Sequence, residues 1–268
     1  MNQQNQPVFK HRARKRFGQN FLNDANIIER IVRSVAPKAD DNLVEIGPGQ
    51  GAITAPLVSA CPQLNVIEID QDLIPILLAQ FAKYDDFKIH RVDALKFDFK
   101  QLATDKPLRI VGNLPYNIST PLIFHLLSFQ NKIADMHFML QKEVVERLAS
   151  NENEKHYGRL SVMVQYYCQV EYLFAVPPES FDPQPKVDSA IVKLTPHPQL
   201  PFVASNIEIL SKLVNICFQQ RRKTLRNSLK QLLTKEQIQS LPIDTNLRPE
   251  NISVKEYVML SNIIATYS

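Results

Sequence analysis

The chain has 268 residues, 44% of them hydrophobic, enough for one large domain or for a large and a small one without covalent staples. Its formal charge of +4 hides an asymmetry: residues 202–268 carry nine Lys and Arg against five Asp and Glu, residues 1–16 carry five basic side chains and no acid, and the stretch between is net acidic. No apolar run nears the roughly 18 residues of a membrane helix, the first twenty residues lack the apolar core of a secretory signal, and three widely spaced cysteines (Cys61, Cys168, Cys217) argue against a disulfide framework or a metal site. A monomeric cytoplasmic protein is expected, with two basic ends suited to a polyanion and no membrane contact.

Short apolar runs at 43–46, 64–69, 87–92, 108–111 and 136–140 predict strands, and helical spacing at 53–60, 73–81, 121–129 and 144–148 predicts helices between them. This alternation predicts an α/β fold with a mostly parallel sheet covered on both faces. A helix from Gly158 to about residue 168 follows, then strands at 170–176 and 187–194 around the proline-rich PPESFDPQPK. Residues 195–201, TPHPQLP, have the composition of a linker, and beyond them the spacing is helical to the end. Two domains are therefore expected, 1–201 with a basic N-terminal arm and a smaller helical one at 202–268. In QQRRKTLRNSLKQLL, Arg222, Arg226 and Lys230 recur every four residues, which predicts a basic stripe along one helical face, with Arg221 and Lys223 beside it. Such a stripe either contacts nucleic-acid phosphates or is the solvated side of an amphipathic helix.

Ligands on a parallel sheet sit beyond the carboxyl ends of its strands, so the residues there carry the functional reading. The first strand runs into EIGPGQG, with Gly47, Gly49 and Gly51 at alternate positions; such a loop turns sharply, lets the backbone approach a ligand and implies a nucleotide-like cofactor. The spacing departs from the dinucleotide fingerprint, and Glu45 would repel a pyrophosphate but suit the ammonium of a cofactor bearing an amino acid. The second strand ends in VIEID, about twenty residues on, where Glu68 can accept from both ribose hydroxyls and Asp70 is the neighbouring candidate. In RVDAL, Asp93 can accept from an adenine amino group and the Ala94 amide can donate to the ring; alone, Asp93 would read as a helix cap. Together these strand ends outline an adenosyl cofactor.

The fourth strand ends in VGNLPYNIST, residues 111–120. In isolation this is a turn. Beside an adenosyl site it offers two acceptors, the Asn113 side-chain oxygen and the Leu114 carbonyl, on a backbone stiffened by Pro115. Accepting both hydrogens of an aromatic amino group favours a pyramidal nitrogen with its lone pair turned toward a methyl donor, and Tyr116 can stack on the base.

RKRFGQNFL, EIGPGQG, the acid at Glu68, VDAL, GNLPYNIS, YGRLSV and PESFDPQPKVDSAIV together resemble the rRNA adenine N(6)-dimethyltransferase family over nearly the whole chain, and within it the branch acting on 16S rRNA. The resemblance implies a Rossmann-like methyltransferase sheet using S-adenosyl-L-methionine, with Gln19, Asn20 and Leu22 touching the cofactor alongside Gly47, Gly49, Glu68, Asp93 and Asn113. It implies Phe181 as a second stacking wall, and dimethylation of two adjacent adenosines in a loop near the 3′ end of 16S rRNA within the small subunit or its precursor. Arg14 and Arg16 join Arg221, Arg222, Lys223, Arg226 and Lys230 as expected RNA contacts. The alternatives are the macrolide-resistance branch, acting on 23S rRNA, and a non-catalytic ribosome-assembly factor on the same scaffold.

Overall fold

In the computed structural model, which describes residues 20–267, the short strand β1 (Phe21–Leu22) leads into helix α1 (Ala25–Val35). Asp24 starts this helix: its carboxylate accepts from the N–H groups of Asn26 at 2.9 Å and Ile27 at 3.3 Å, donors that the first turn leaves without partners. Ile27, Ile31 and Val35 recur every four residues on its buried face, and the helix ends at Ala36 in the left-handed region. Ile28 and Val32 flank that stripe, so α1 has an unbroken helical spacing of apolar residues behind its Asp cap; it was legible in the sequence, although the strands and helices predicted above begin only at residue 43.

Strand and helix then alternate as expected: β2 (Asn42–Ile46), α2 (Thr54–Ala60), β3 (Asn65–Glu68), α3 (Ile74–Gln80), β4 (Lys88–Arg91), β5 (Leu108–Asn113), α4 (Ser119–Leu127) and β6 (Ile133–Gln141). They are followed by α5 (Lys142–Ala149), α6 (Arg159–Gln165), β7 (Cys168–Val176), β8 (Phe181–Asp182) and β9 (Ser189–Pro196). Thr195 and Pro196, expected in a linker, complete β9. The main sheet has the order β4-β3-β2-β5-β6-β9-β7, and β2 pairs in parallel with both β3 and β5. The chain steps outward from β2 to β4 and returns to the other side of β2 at β5. Between β2 and β5 the connections therefore leave in opposite directions, which opens a crevice beyond their carboxyl ends.

Gly112 belongs to that junction. It faces Ile46 across the β2–β5 pair, and a Cβ there would lie 2.8 Å from the Ile46 carbonyl oxygen and 2.9 Å from a Leu114 methyl. Any side chain would push the two strands apart at the mouth of the crevice. Apart from the main sheet, β1 and β8 form an antiparallel ribbon, Phe21 opposite Asp182 and Leu22 opposite Phe181.

The described chain divides into two compact units. One takes the chain up to Lys142 together with Leu173–Lys193; the other takes Glu143–Tyr172 and everything from Leu194 on, so residues 143–172 join the C-terminal helices instead of the sheet-bearing unit expected at 1–201. In the second unit, α7 (Ile207–Gln219) packs against α10 (Val254–Ala265), with α8 (Leu225–Leu229) and α9 (Lys235–Gln239) between them in sequence. Two buried tyrosines tie its loops: Tyr157 Oη donates to the Ile252 carbonyl at 2.9 Å and Tyr257 Oη to the Pro249 carbonyl at 2.8 Å.

The continuous basic stripe expected from Arg222 to Lys230 does not form. Helix α7 stops at Gln219, and the N–H groups of Leu225 and Arg226 go to the carbonyls of Leu247 at 2.7 Å and Thr245 at 2.8 Å instead of to a preceding turn. Arg222 lies in the resulting turn, Arg226 on the five-residue α8, and Lys230 at its C-terminal cap.

Candidate active site

A cavity of about 220 Å³ opens at the crevice beyond β2 and β5. Its floor is the loop after β2, in which Gly47, Gly49 and Gly51 have φ of +69°, +59° and +84°. Side chains other than glycine rarely adopt such angles. At Gly49 a Cβ would also lie 3.2 Å from the Phe21 ring, so β1 rests directly on the loop.

Two buried carboxylates face this floor. Glu45 accepts from Thr54 Oγ1 at 2.6 Å, and burial pushes its pKa up to about 8 against the pull of that hydrogen bond, with Glu68 adding in the same direction. Glu68, at the end of β3, accepts the Asp70 N–H at 2.7 Å on one oxygen and the Gly49 N–H at 3.4 Å on the other. Its pKa is raised by burial and held down by those backbone donors. Ile69 beside it is half exposed and lines the cavity, whereas Asp70 is buried and does not.

Beyond β4, Asp93 and Ala94 line the same cavity, and Asp93 accepts the Leu95 N–H at 3.0 Å. Its second oxygen is not used in that turn, so capping and ligand binding are compatible.

At the end of β5, the Asn113 amide nitrogen donates to the Asn20 backbone carbonyl at 3.2 Å. A carbonyl only accepts, so this bond determines the amide's orientation and leaves Oδ1 as the end not engaged by Asn20. The Leu114 N–H donates to the Met139 carbonyl at 3.2 Å, anchoring the next peptide on β6. Tyr116 and Phe181 also line the cavity, the first half-buried and the second 3% exposed. Leu22 is paired with Phe181 in the ribbon, so these two expected site residues share one short piece of structure.

Of the expected site residues, Asn20, Leu22, Glu45, Gly47, Gly49 and Glu68 meet Asp93, Ala94, Asn113, Leu114, Tyr116 and Phe181 around one cavity. Gln19, Arg14 and Arg16 lie outside the described residues. Sequence reasoning missed Ile69, which the exposed position after a strand-end acid could have signalled, and Thr54, for which the i+9 spacing from Glu45 gives no signal.

The expected RNA contacts differ among themselves. Arg222, Lys223, Arg226 and Lys230 are exposed. Arg221 is engaged inside its own unit, donating Nε to Glu250 at 2.6 Å and Nη2 to the Lys155 carbonyl at 2.7 Å. Among the described residues there is no cluster of His, Cys, Asp and Glu able to hold a metal, and no helix long and apolar enough to cross a membrane.

Comparison with known proteins places the chain among relatives. Residues 10–266 match the model of the family described as ribosomal RNA adenine dimethylase. A relative from Saccharophagus degradans named ribosomal RNA small subunit methyltransferase A is 66% identical over 264 residues, covering 98% of each chain. Among solved structures, a dimethyladenosine transferase from Plasmodium falciparum superposes with a TM-score of 0.75 at 26% identity, covering 92% of this chain and 97% of that one. The 23S rRNA methyltransferase ErmE superposes with a TM-score of 0.72 at 22% identity, covering 92% of this chain and 100% of that one, a likeness of fold. With the family model matching almost end to end, the chain belongs to the ribosomal RNA adenine dimethylase family.

Proposed function

We propose that the chain dimethylates the exocyclic amino groups of two adjacent adenosines in a loop near the 3′ end of 16S rRNA, with S-adenosylmethionine as donor, as a step in small-subunit biogenesis. The observation that carries this reading is the oriented Asn113 amide beside the Leu114 carbonyl, in a cavity it shares with Glu68 and Asp93.

The donor set fits the cofactor. Glu68 and Asp93 offer carboxylate oxygens for ribose hydroxyls and an adenine amino group, Ile69 offers an apolar face for the base, and the positive-φ loop permits close approach of main chain. Glu45 suits an ammonium group. When bound, S-adenosylmethionine supplies an electrophilic methyl group on a sulfonium.

Asn113 Oδ1 and the Leu114 carbonyl accept the two hydrogens of the target amino group, which favours a pyramidal nitrogen and directs its lone pair at the donor. Tyr116 and Phe181 hold the flat base by stacking. Rate acceleration then comes from positioning, without a side-chain base. The methylated nitrogen, once cationic, is a strong acid and loses its proton to water, and the same site serves the second transfer.

Exposed Arg222, Lys223, Arg226 and Lys230 support RNA contact by the C-terminal unit. A ribosomal substrate supports a cytoplasmic enzyme acting on the small subunit or its precursor. The 66% identical small-subunit relative favours 16S over 23S rRNA, and the complete acceptor pair favours an enzyme over an inactive assembly factor. The test is transfer from labelled S-adenosylmethionine to small subunits lacking the modification, followed by mapping of the product. Label on two neighbouring adenines near the 3′ end of 16S rRNA is the expected result; label only on 23S rRNA, or none, overturns it.

A further inference from the structure

Tyr116 is held at both ends. Its carbonyl accepts from Ser119 Oγ at 3.2 Å, and its phenolic oxygen lies 3.0 Å from Ser189 Oγ, 73 residues away in the chain. Ser189 is the first residue of β9 and is 1% exposed, followed by the buried run Ala190, Ile191, Val192. A hydroxyl in such surroundings costs free energy unless it is paired, and the Tyr116 phenol is the partner it has. Its position is itself fixed. The Lys142 N–H, just past β6, donates to the carbonyl of Asp188 at 2.9 Å, so β9 starts where β6 ends.

Since β6 lies between β5 and β9 in the sheet, the Tyr116 side chain spans the end of β6 to reach Ser189. A tyrosine bound only by its backbone would exchange between staggered rotamers. With its hydroxyl tied, the ring is set in one orientation along the cavity wall before any base arrives, which removes an ordering cost from binding.

We propose that Ser189 is a positioning residue for methyl transfer, its hydroxyl anchoring the Tyr116 phenol and so fixing the ring on which the target adenine stacks. The proposal rests on the reading of Tyr116 as a stacking residue. It differs from that reading in one respect: stacking alone needs only the ring, whereas anchoring needs both hydroxyls.

The experiment compares Ser189→Ala, Tyr116→Phe, the double variant, Ser189→Thr and Tyr116→Ala. It reads kcat and KM on undermethylated small subunits, and S-adenosylmethionine affinity by calorimetry. Ser189→Ala and Tyr116→Phe should each lower kcat by roughly three- to tenfold, leave cofactor affinity unchanged, and combine with no further loss in the double variant. Ser189→Thr, which keeps a hydroxyl, should recover most of the rate. Wild-type kcat in Tyr116→Phe overturns the proposal even if Ser189→Ala fails to fold, because Tyr116 is only half-buried, and where Ser189→Ala folds, losses that multiply in the double variant overturn it as well. Tyr116→Ala separates the two readings. If it is inactive while Tyr116→Phe is normal, stacking stands and anchoring falls; if it too is fully active, the stacking reading falls and the proposal with it.

Discussion

Asn113 and Asn20 stand 93 residues apart in sequence and are joined by one hydrogen bond of 3.2 Å, from the amide nitrogen of the first to the backbone carbonyl of the second. The N-terminal arm thus orients the acceptor on which the proposed chemistry depends. Asn113→Ala removes one of two acceptors and should slow methyl transfer by at least about tenfold, a barrier increase above about 1.4 kcal/mol. Binding of the RNA substrate should persist. Single-turnover rates on undermethylated small subunits check this, and near-normal turnover would sink the lone-pair argument.

Glu68 and Phe181 line the same cavity but serve different ligands in the proposed function. Glu68→Ala should weaken S-adenosylmethionine, since each hydrogen bond to a buried charged acceptor is worth roughly 1.5 to 3 kcal/mol. Phe181→Ala should leave cofactor affinity near normal and lower the transfer rate. Calorimetry and kinetics together check the pair; the opposite order of effects would exchange the two assignments.

Glu45 has its pKa raised by burial to about 8, so at neutral pH it carries a proton in the free protein. An ammonium group placed beside it favours the carboxylate, and cofactor binding at pH 7 should therefore release up to about one proton. Calorimetry in two buffers of different ionisation enthalpy measures this number directly. Glu45→Gln should abolish the release. The stability contribution has the sign of a raised carboxyl: it is full below the ordinary value of 4.5 and is lost as pH rises through 8.

His137, on β6, has 1% of its side chain exposed, and among the described residues neither ring nitrogen has a hydrogen-bond partner within 3.5 Å. Burial lowers its pKa to about 4; Asp135, 3.7 Å away, and a weak backbone interaction with Ser34 raise it, and Arg109 and Lys193 oppose protonation. The unfolded chain takes up a proton near pH 6.5 that the folded chain accepts only near 4, so stability should fall as pH drops across this window, by at most about 3 kcal/mol. Urea titrations from pH 7 to 4 check it: His137→Leu should flatten that limb, and an unchanged slope would assign the acid sensitivity elsewhere.

Replacing Arg222, Arg226 and Lys230 together with Gln should flatten the slope of log affinity for small subunits against log salt by roughly two to three units, since each phosphate contact contributes about 0.7 to 0.9. S-adenosylmethionine affinity should not change. An unchanged slope in the folded triple variant would assign these charges to solvent. Arg221→Gln is a different experiment. It removes the bonds to Glu250 and the Lys155 carbonyl, and its expected effect is a lower melting temperature.

Much of the site was legible because parallel strands read as continuous apolar runs, and the residue just past each run is the one that faces a ligand. Glu68, Asp93 and Asn113 follow from that rule without coordinates. Helix α1 lies outside that rule, which reads only strand ends, although its stripe of Ile27, Ile28, Ile31, Val32 and Val35 has unbroken helical spacing, and β1 and β8 escaped it because two-residue strands have no period. The basic stripe failed for another reason. Residues 220–224 include Arg and Lys, good helix formers, and only the bonds from Leu225 and Arg226 to Leu247 and Thr245 reveal that their N–H groups are spent elsewhere. The orientation of the Asn113 amide and the anchoring of Tyr116 depend in the same way on partners 93 and 73 residues away. Local composition sets which groups can react and where each strand ends. Which way a donor or an amide points is decided by long-range hydrogen bonds, because either orientation satisfies the local chain equally well.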